Sequence, residues 1–421
     1  MIILLLFLLL IAGPAYAAPG VAVVQSAAPT SNGGTQDFTL TGFGTPTCAM
    51  FFGSYGTANG TVVNHAGLWV GFSDFTTSAS VAFSDEDSAS TTDTGSARNT
   101  NALQTLLTSD QTVDGTATAT TITDGARLTW ADAPPSAYLI TAVLFNSSAV
   151  SNCAVGSLST ATSIGGTASV AGLGWQPDVI IAASINNASA SVRSSLGLAL
   201  NDGGIVQYAT GQSSPNAAGT SDLIEIIRSD RISVNPLGTG QSSCELTSFD
   251  AGGFTCTTRD NASANTIEYL VFKLATGVSA KLLTCTTPTA TGAHSCTGTG
   301  FTPQAAIMLQ SNVASLDTSS TNPLNTEAFG LSAFTATSSS TSSTASDDGV
   351  AAANTESMTD SKAVRFRKNA ADYLTGTLTG FQADGANFDY TTVDSSARYR
   401  AVLFLETTTS TVRRRGMVKL P

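Results

Sequence analysis

The chain has 421 residues, of which 42% are hydrophobic and 11% charged, and 30 acidic against 18 basic side chains give a formal net charge of −12. So few charges exclude a coiled coil and charge-rich disorder, and an acidic chain lacks the basic field that would displace counterions from nucleic acid. Only two histidines leave little material for most hydrolase and metal chemistries.

Residues 1–11 form an unbroken apolar run, followed by Ala12-Gly13-Pro14 and then Ala15-Tyr16-Ala17. An apolar core before a small-x-small site reads as a signal peptide cut after Ala17. The n-region carries no Lys or Arg, so a hydrophobic anchor over residues 1–17 stays open as the alternative. An exported chain is expected, touching a membrane only through residues 1–17 if they are retained. The even count of six cysteines, with no C-x-x-C, fits an oxidising compartment.

The remainder reads as one unit written three times. Residues 21–43, 153–175 and 279–301 align without gaps. Each has an extended stretch, a turn with Gly at the same place (Gly34, Gly166, Gly292), a second extended stretch and a Gly-aromatic pair (Gly42-Phe43, Gly174-Trp175, Gly300-Phe301). A proline follows (Pro46, Pro177, Pro303), then an apolar run, then a Gly-Leu pair (Gly67-Leu68, Gly197-Leu198, Gly330-Leu331). Near the end of each unit an Asp-centred turn recurs: Asp124-Gly125, Asp250-Ala251-Gly252-Gly253 and Asp384-Gly385. The closing strands align as residues 140–145, 267–272 and 399–404, each ending in Phe.

Short runs rich in Val, Ile, Phe and Thr, separated by Gly, Pro, Asn and Asp, predict strands. Residues 102–107 and 222–227 read equally as a helical turn or a strand. The fold class expected is all-β: three tandem antiparallel β-sandwich, jelly-roll-like domains after an N-terminal hydrophobic leader. The boundaries read as 1–17 leader, 18–150, 151–276 and 277–407 for the three units, and 408–421 for a basic tail holding Arg413-Arg414-Arg415 and Lys419. The linkers at 146–152 and 275–278 are too short for a flexible tether, so a semi-rigid rod is expected. The Ser/Thr run at 335–346 reads as a loop insertion within unit 3.

Candidate sites are few. Cys285 and Cys296 lie in the two arms of a hairpin, and Cys244 and Cys256 bracket the Asp-Gly turn of unit 2, so both pairs read as disulfides. Cys48 and Cys153 pair only if units 1 and 2 pack closely. Asp85-Glu86-Asp87 and Asp347-Asp348 lie at matching distances from the Gly-Leu pair. Clustered loop carboxylates suit Ca²⁺, although a solvated acidic loop is the plainer reading. Asp124, Asp250 and Asp384 read as turn residues. His65 and His294 have no counterparts in the other units, and no G-x-S-x-G elbow supports a triad. Tyr55, Tyr208 and Tyr373 read as sugar-stacking candidates or as ordinary sheet aromatics. No catalytic residue and no cofactor is expected.

In unit 2, Gly174-Trp175-Gln176-Pro177-Asp178-Val179-Ile180 precedes Ser248-Phe249-Asp250-Ala251-Gly252-Gly253-Phe254-Thr255, with Asn265 and Tyr269-Leu270-Val271-Phe272 beyond. This order resembles repeat modules of tailed-phage virion proteins, especially tail-fibre and appendage proteins. The resemblance implies β-sandwich modules in a virion or surface appendage and no catalytic residue. The function expected is a non-enzymatic structural or adhesive surface protein that displays loops from tandem β-sandwiches. Self-association, and a cell-surface glycan or receptor, are the expected partners. A secreted carbohydrate-binding protein or glycan-active hydrolase is the alternative.

Overall fold

The computed structural model describes residues 20–107, 112–188, 191–219, 224–237, 240–260, 265–318, 327–347, 350, 353–368 and 372–407. The leader, the basic tail and Asp348 lie outside the described residues. Among the described residues all regular elements are strands, and their pairings are antiparallel.

Unit 1 supplies β1 (Val21–Ala27), β2 (Thr35–Thr39), β3 (Pro46–Gly53), β4 (Val62–Asn64), β5 (Ala66–Ser73), β6 (Ser78–Asp85), β7 (Thr94–Asn99), β8 (Leu103–Leu106), β9 (Val113–Ile122), β10 (Gly125–Asp132) and β11 (Leu139–Asn146). Unit 2 supplies β12 (Val150–Ser159), β13 (Thr167–Val170), β14 (Val179–Ala188), β15 (Ser191–Asn201), β16 (Ile205–Pro215), β17 (Ile224–Arg228), β18 (Ser233–Leu237), β19 (Gly240–Asp250), β20 (Gly253–Asp260) and β21 (Thr266–Leu274). Unit 3 supplies β22 (Ser279–Thr286), β23 (Gly292–Thr297), β24 (Ala305–Ser311), β25 (Glu327–Thr335), β26 (Ser339–Ser346), β27 (Thr355–Asp360), β28 (Val364–Arg367), β29 (Tyr373–Gln382), β30 (Gly385–Thr392) and β31 (Tyr399–Glu406).

The same topology appears three times. Unit 1 has a larger sheet in the order β1-β11-β3-β5-β6-β7 and a smaller one, β2-β10-β9-β8. Unit 2 repeats this as β12-β21-β14-β15-β16-β17 and β13-β20-β19-β18. Unit 3 repeats it as β22-β31-β24-β25-β26-β27 and β23-β30-β29-β28, and its larger sheet gains β4 from unit 1 as a seventh strand. The two ambiguous stretches are resolved as strands, β8 and β17.

Alternation along the larger sheets decides the packing. Successive side chains point to opposite faces, so Ala49 and Phe51 face the smaller sheet of unit 1 while Cys48, Met50 and Phe52 face the other way. Each unit has its own apolar cluster between its two sheets. The opposite faces of all three larger sheets meet in a single further cluster that includes Phe52, Phe145, Leu198, Phe272, Leu309 and Leu403. The closing strands β11, β21 and β31 are therefore buried on both faces, which explains their nearly continuous apolar sequence.

This shared core corrects the expected rod, because the units close on one another. Each larger sheet ends in an edge strand, a row of unpaired backbone groups that proteins cover or blunt. Each edge is covered by the next unit. At β7, Thr92 N–H bonds to the Ala218 carbonyl and Ala217 N–H to the Thr92 carbonyl. At β17, Asp317 N–H bonds to the Ile227 carbonyl. At β27, β4 pairs over Val62–Asn64 with Glu356–Met358. Units 1, 2 and 3 thus cap one another cyclically, as in a closed head-to-tail ring.

The linkers lie where the first and last described residues meet. Asn146 N–H bonds to the Gly20 carbonyl at 3.0 Å, and Ala275 N–H makes the equivalent bond to Ala149 at 2.9 Å. A Cβ placed on Gly20 would stand 2.9 Å from Cβ of both Ala149 and Thr407. The first and last described residues therefore adjoin as if a third linker had been left out.

Two sequence alignments shift in register. Phe145 and Phe272 face the shared core, but Phe404 faces the cluster of its own unit, and Leu405 takes the central place. Cross-strand pairs agree: Cys48 opposes Phe145, Val179 opposes Phe272, and Ala305 opposes Leu405. The Gly-Leu match slips as well. Gly71, not Gly67, is the counterpart of Gly197, since added Cβ atoms there would strike the Ala102 and Ile232 carbonyls respectively. A third correction concerns the Ser/Thr run, which contains no loop insertion: β26 is a buried inner strand of the larger sheet. Its hydroxyls are paired, Ser340 with Thr141 and Ser342 with Thr359, so a strand of small polar residues packs without stranding them.

Candidate functional site at the junction of the three units

The chain brings Asp85 to a point where all three units meet. Asp85 ends β6, Ser214 lies near the end of β16, and Ser346 ends β26, three corresponding strands of the larger sheets. The Ser214 hydroxyl donates to Asp85 Oδ2 at 2.9 Å and the Ser346 hydroxyl at 3.2 Å. Thr355 Oγ1 donates to the Asp85 backbone carbonyl at 2.9 Å. Asp85 is 2% exposed and its Oδ1 has no partner. Burial, with further contributions from Asp93 and Asp87, raises its pKa to about 7 against the two lowering hydroxyl bonds.

The other candidate carboxylates lie close by in different contacts. Asp87 Oδ1 accepts the Thr355 N–H at 2.9 Å, and Asp87 N–H donates to His65 Nδ1 at 3.0 Å. Asp347 pairs with the buried Arg367 at 3.2 Å, and Arg367 also reaches Glu356 at 3.1 Å. Glu356 accepts the Tyr373 hydroxyl, and burial raises its pKa. Glu86 is half-buried beside the open end of this junction. The two acidic stretches from units 1 and 3 thus share one region, but each positioned carboxylate is already engaged, Asp85 and Asp87 across units and Asp347 within unit 3. Among the described residues, no group of three or more His, Cys, Asp or Glu side chains is gathered to hold a metal.

The cysteines occupy three distinct settings. Cys244–Cys256 joins the adjacent strands β19 and β20, buried in the cluster of unit 2. Cys285–Cys296 joins β22 to β23. These arms belong to different sheets, since β22 pairs with β31 and β23 with β30, so this bridge ties two sheets together rather than two arms of one ladder. Cys48 and Cys153 are free thiols at the seam of units 1 and 2, Cys48 within the shared core and Cys153 packed against it. Burial pushes the Cys48 thiol well above its ordinary value.

The turn aspartates do more than form turns. Asp124, at φ 60°, accepts the N–H groups of Gly42 and Gly44 at 3.0 and 2.9 Å. Asp384 accepts Gly300 N–H at 2.7 Å. The Asp turn therefore holds the distant Gly-aromatic loop, and these backbone bonds lower the Asp124 pKa. In unit 2, Asp250 instead accepts the Thr255 hydroxyl, and the loop is tied by Leu173 N–H to the Gly252 carbonyl. Both motifs are legible in the sequence but their bond is not, because no spacing rule links residues about eighty positions apart.

The three tyrosines sit in different settings, Tyr55 buried and Tyr208 and Tyr373 half-buried. Tyr55 is buried against Trp69 and Tyr138 and donates to the Leu106 carbonyl. Tyr208 packs on the shared core and Tyr373 is held by Glu356. His294 bonds the Thr286 carbonyl at 3.0 Å. An open cleft of about 370 Å³ lies between units 1 and 2, lined by Arg98, Asn99, Thr100, Ser157, Thr266 and Glu268. The Glu268 carboxylate is buried there, held by the Ser157 hydroxyl and 3.4 Å from Arg98. Burial raises its pKa.

Comparison of the chain with protein-family models, with curated proteins and with solved structures found no match in any of the three.

Proposed function

We propose that this protein is a non-enzymatic structural or adhesive surface protein, a component of a virion or cell-surface appendage. In this reading each unit is a jelly-roll-like β-sandwich module, exported behind the leader, and the three together form a stiff body that displays loops. The observation that carries it is the apolar core shared by all three larger sheets. Three small-charge units that bury one another's edges make a body suited to durable display, and loops on a rigid scaffold are where recognition commonly resides. The recurring polar residues support the same reading, since Asp124 and Asp384 are spent on tying loops. The partners proposed are further copies of the chain and a cell-surface glycan or receptor.

Immunogold electron microscopy on material from the native source tests this. Label on particles or filaments is the expected result. Glycan turnover by the purified chain, abolished by Glu268→Gln, would overturn it in favour of a hydrolase. A secreted sugar-binding protein is the second reading, favoured by the polar cleft around Glu268 and Arg98. Glycan-array binding by the full chain, lost in Arg98→Ala and without label on any particle, would support that reading instead.

A further inference from the structure

We propose that Cys48 and Cys153 form a third disulfide that staples unit 1 to unit 2 across their seam. Cys48 lies on β3 and Cys153 on β12, so the pair joins two larger sheets rather than two parts of one unit. The strands that carry them, β3 and β12, pack against each other across the seam. The backbones that carry them are tightly placed. Cys48 opposes Phe145 across β3 and β11, and Cys153 opposes Phe272 across β12 and β21. The two phenylalanine rings meet at 5.1 Å between centroids. Each thiol therefore sits beside one member of a ring pair that clamps the same seam. Both residues also belong to the shared core, Cys48 fully buried and Cys153 packed at its margin. The two bridges already present, Cys244–Cys256 and Cys285–Cys296, place the chain where disulfides persist.

The chemistry is thiol–disulfide exchange with a small disulfide as the oxidant. Cys153 is partly exposed and attacks first as its thiolate, having given its proton to solvent. Its sulfur bonds to one oxidant sulfur, and the other leaves as a thiolate that takes up a proton. Cys48 then loses its proton and attacks the Cys153 sulfur of the mixed disulfide. The second oxidant thiolate leaves and is protonated. Two protein thiols are oxidised to one disulfide and one oxidant disulfide is reduced to two thiols.

The test exposes the folded full chain to oxidised glutathione, then blocks remaining thiols and measures the intact mass and the linked peptides. The expected product has lost two further hydrogens, carries no alkylating label, and yields a peptide linking Cys48 to Cys153. Its melting temperature rises by several degrees over the unoxidised chain. Cys153→Ser, a change at a partly exposed position, folds and shows no such rise, with Cys48 left as a thiol. Wild-type protein that keeps both thiols open to label, or stops with glutathione on Cys153, would overturn the proposal.

Discussion

At Asp85 an ionisable group stands where three chain segments converge, answered by only two hydroxyls and with one carboxylate oxygen unpaired. Its proton affinity is higher folded than unfolded, with a pKa raised from 3.8 to about 7. The contribution to stability is therefore complete below pH 4 and falls by about 1.4 kcal/mol per pH unit until it levels off near 7. Chemical denaturation between pH 4 and 8 checks this, and Asp85→Asn should flatten that part of the profile. The burial of this residue was not legible in the sequence. Asp85-Glu86-Asp87 reads as a solvated acidic loop because nothing local reports that Ser214 and Ser346 arrive from two other units. The turn aspartates were read more nearly as they are, since an Asp before Gly is local chemistry. Glycine is the other residue whose placement has a steric cause. Cβ atoms on Gly125, Gly253 and Gly385 would strike the carbonyls of Phe38, Val170 and Cys296, so all three begin a strand pressed against a neighbouring backbone. Gly253→Ala should cost about 1–3 kcal/mol, seen as a lower melting temperature, because the clash is with backbone rather than a movable side chain.

Strands were visible in the sequence where they are apolar and invisible where they are not. β11, β21 and β31 announce themselves by composition, while β26 is a string of Ser, Thr and Ala that reads as low complexity. It is a strand because its neighbours β25 and β27 are, and because its hydroxyls find partners on unit 1 and on adjacent strands. Register failed for a related reason. Matching Phe404 to Phe145 and Phe272 respects residue type, but a shift of one position exchanges the two faces of a strand. The side that each Phe takes is settled by the shared core, which pattern within one unit cannot reveal. Phe145 and Phe272 give a direct measure of that seam. Phe145→Ala should destabilise the chain by about 3–5 kcal/mol. A double-mutant cycle with Phe272→Ala should return a coupling of about 0.5–1.5 kcal/mol, read from denaturant unfolding, since the rings pack at a tilt of 37° with centroids 5.1 Å apart.

The molecule as a whole is a ring of three covalently joined units that behaves as a closed trimer would. The repeats themselves were plain in the sequence, but not the closure, because short linkers are equally compatible with a rod and with a ring. What decides it is the outward-facing apolar half of each larger sheet, which has nowhere to go except onto the other two. Closure implies that the position of the chain ends is incidental. A variant in which Thr407 is joined to Gly20 by two or three residues and opened between Ser147 and Ser148 should fold, with a melting temperature within a few degrees of the natural order. Equivalence of the junctions predicts the same for an opening between Thr276 and Gly277. The overall dimensions follow from the same claim. Small-angle X-ray scattering of the full chain in dilute solution should give a radius of gyration of about 22 Å, as for one compact body of this length, whereas a value of about 30 Å or more, as for three beads in a row, would contradict the closed ring.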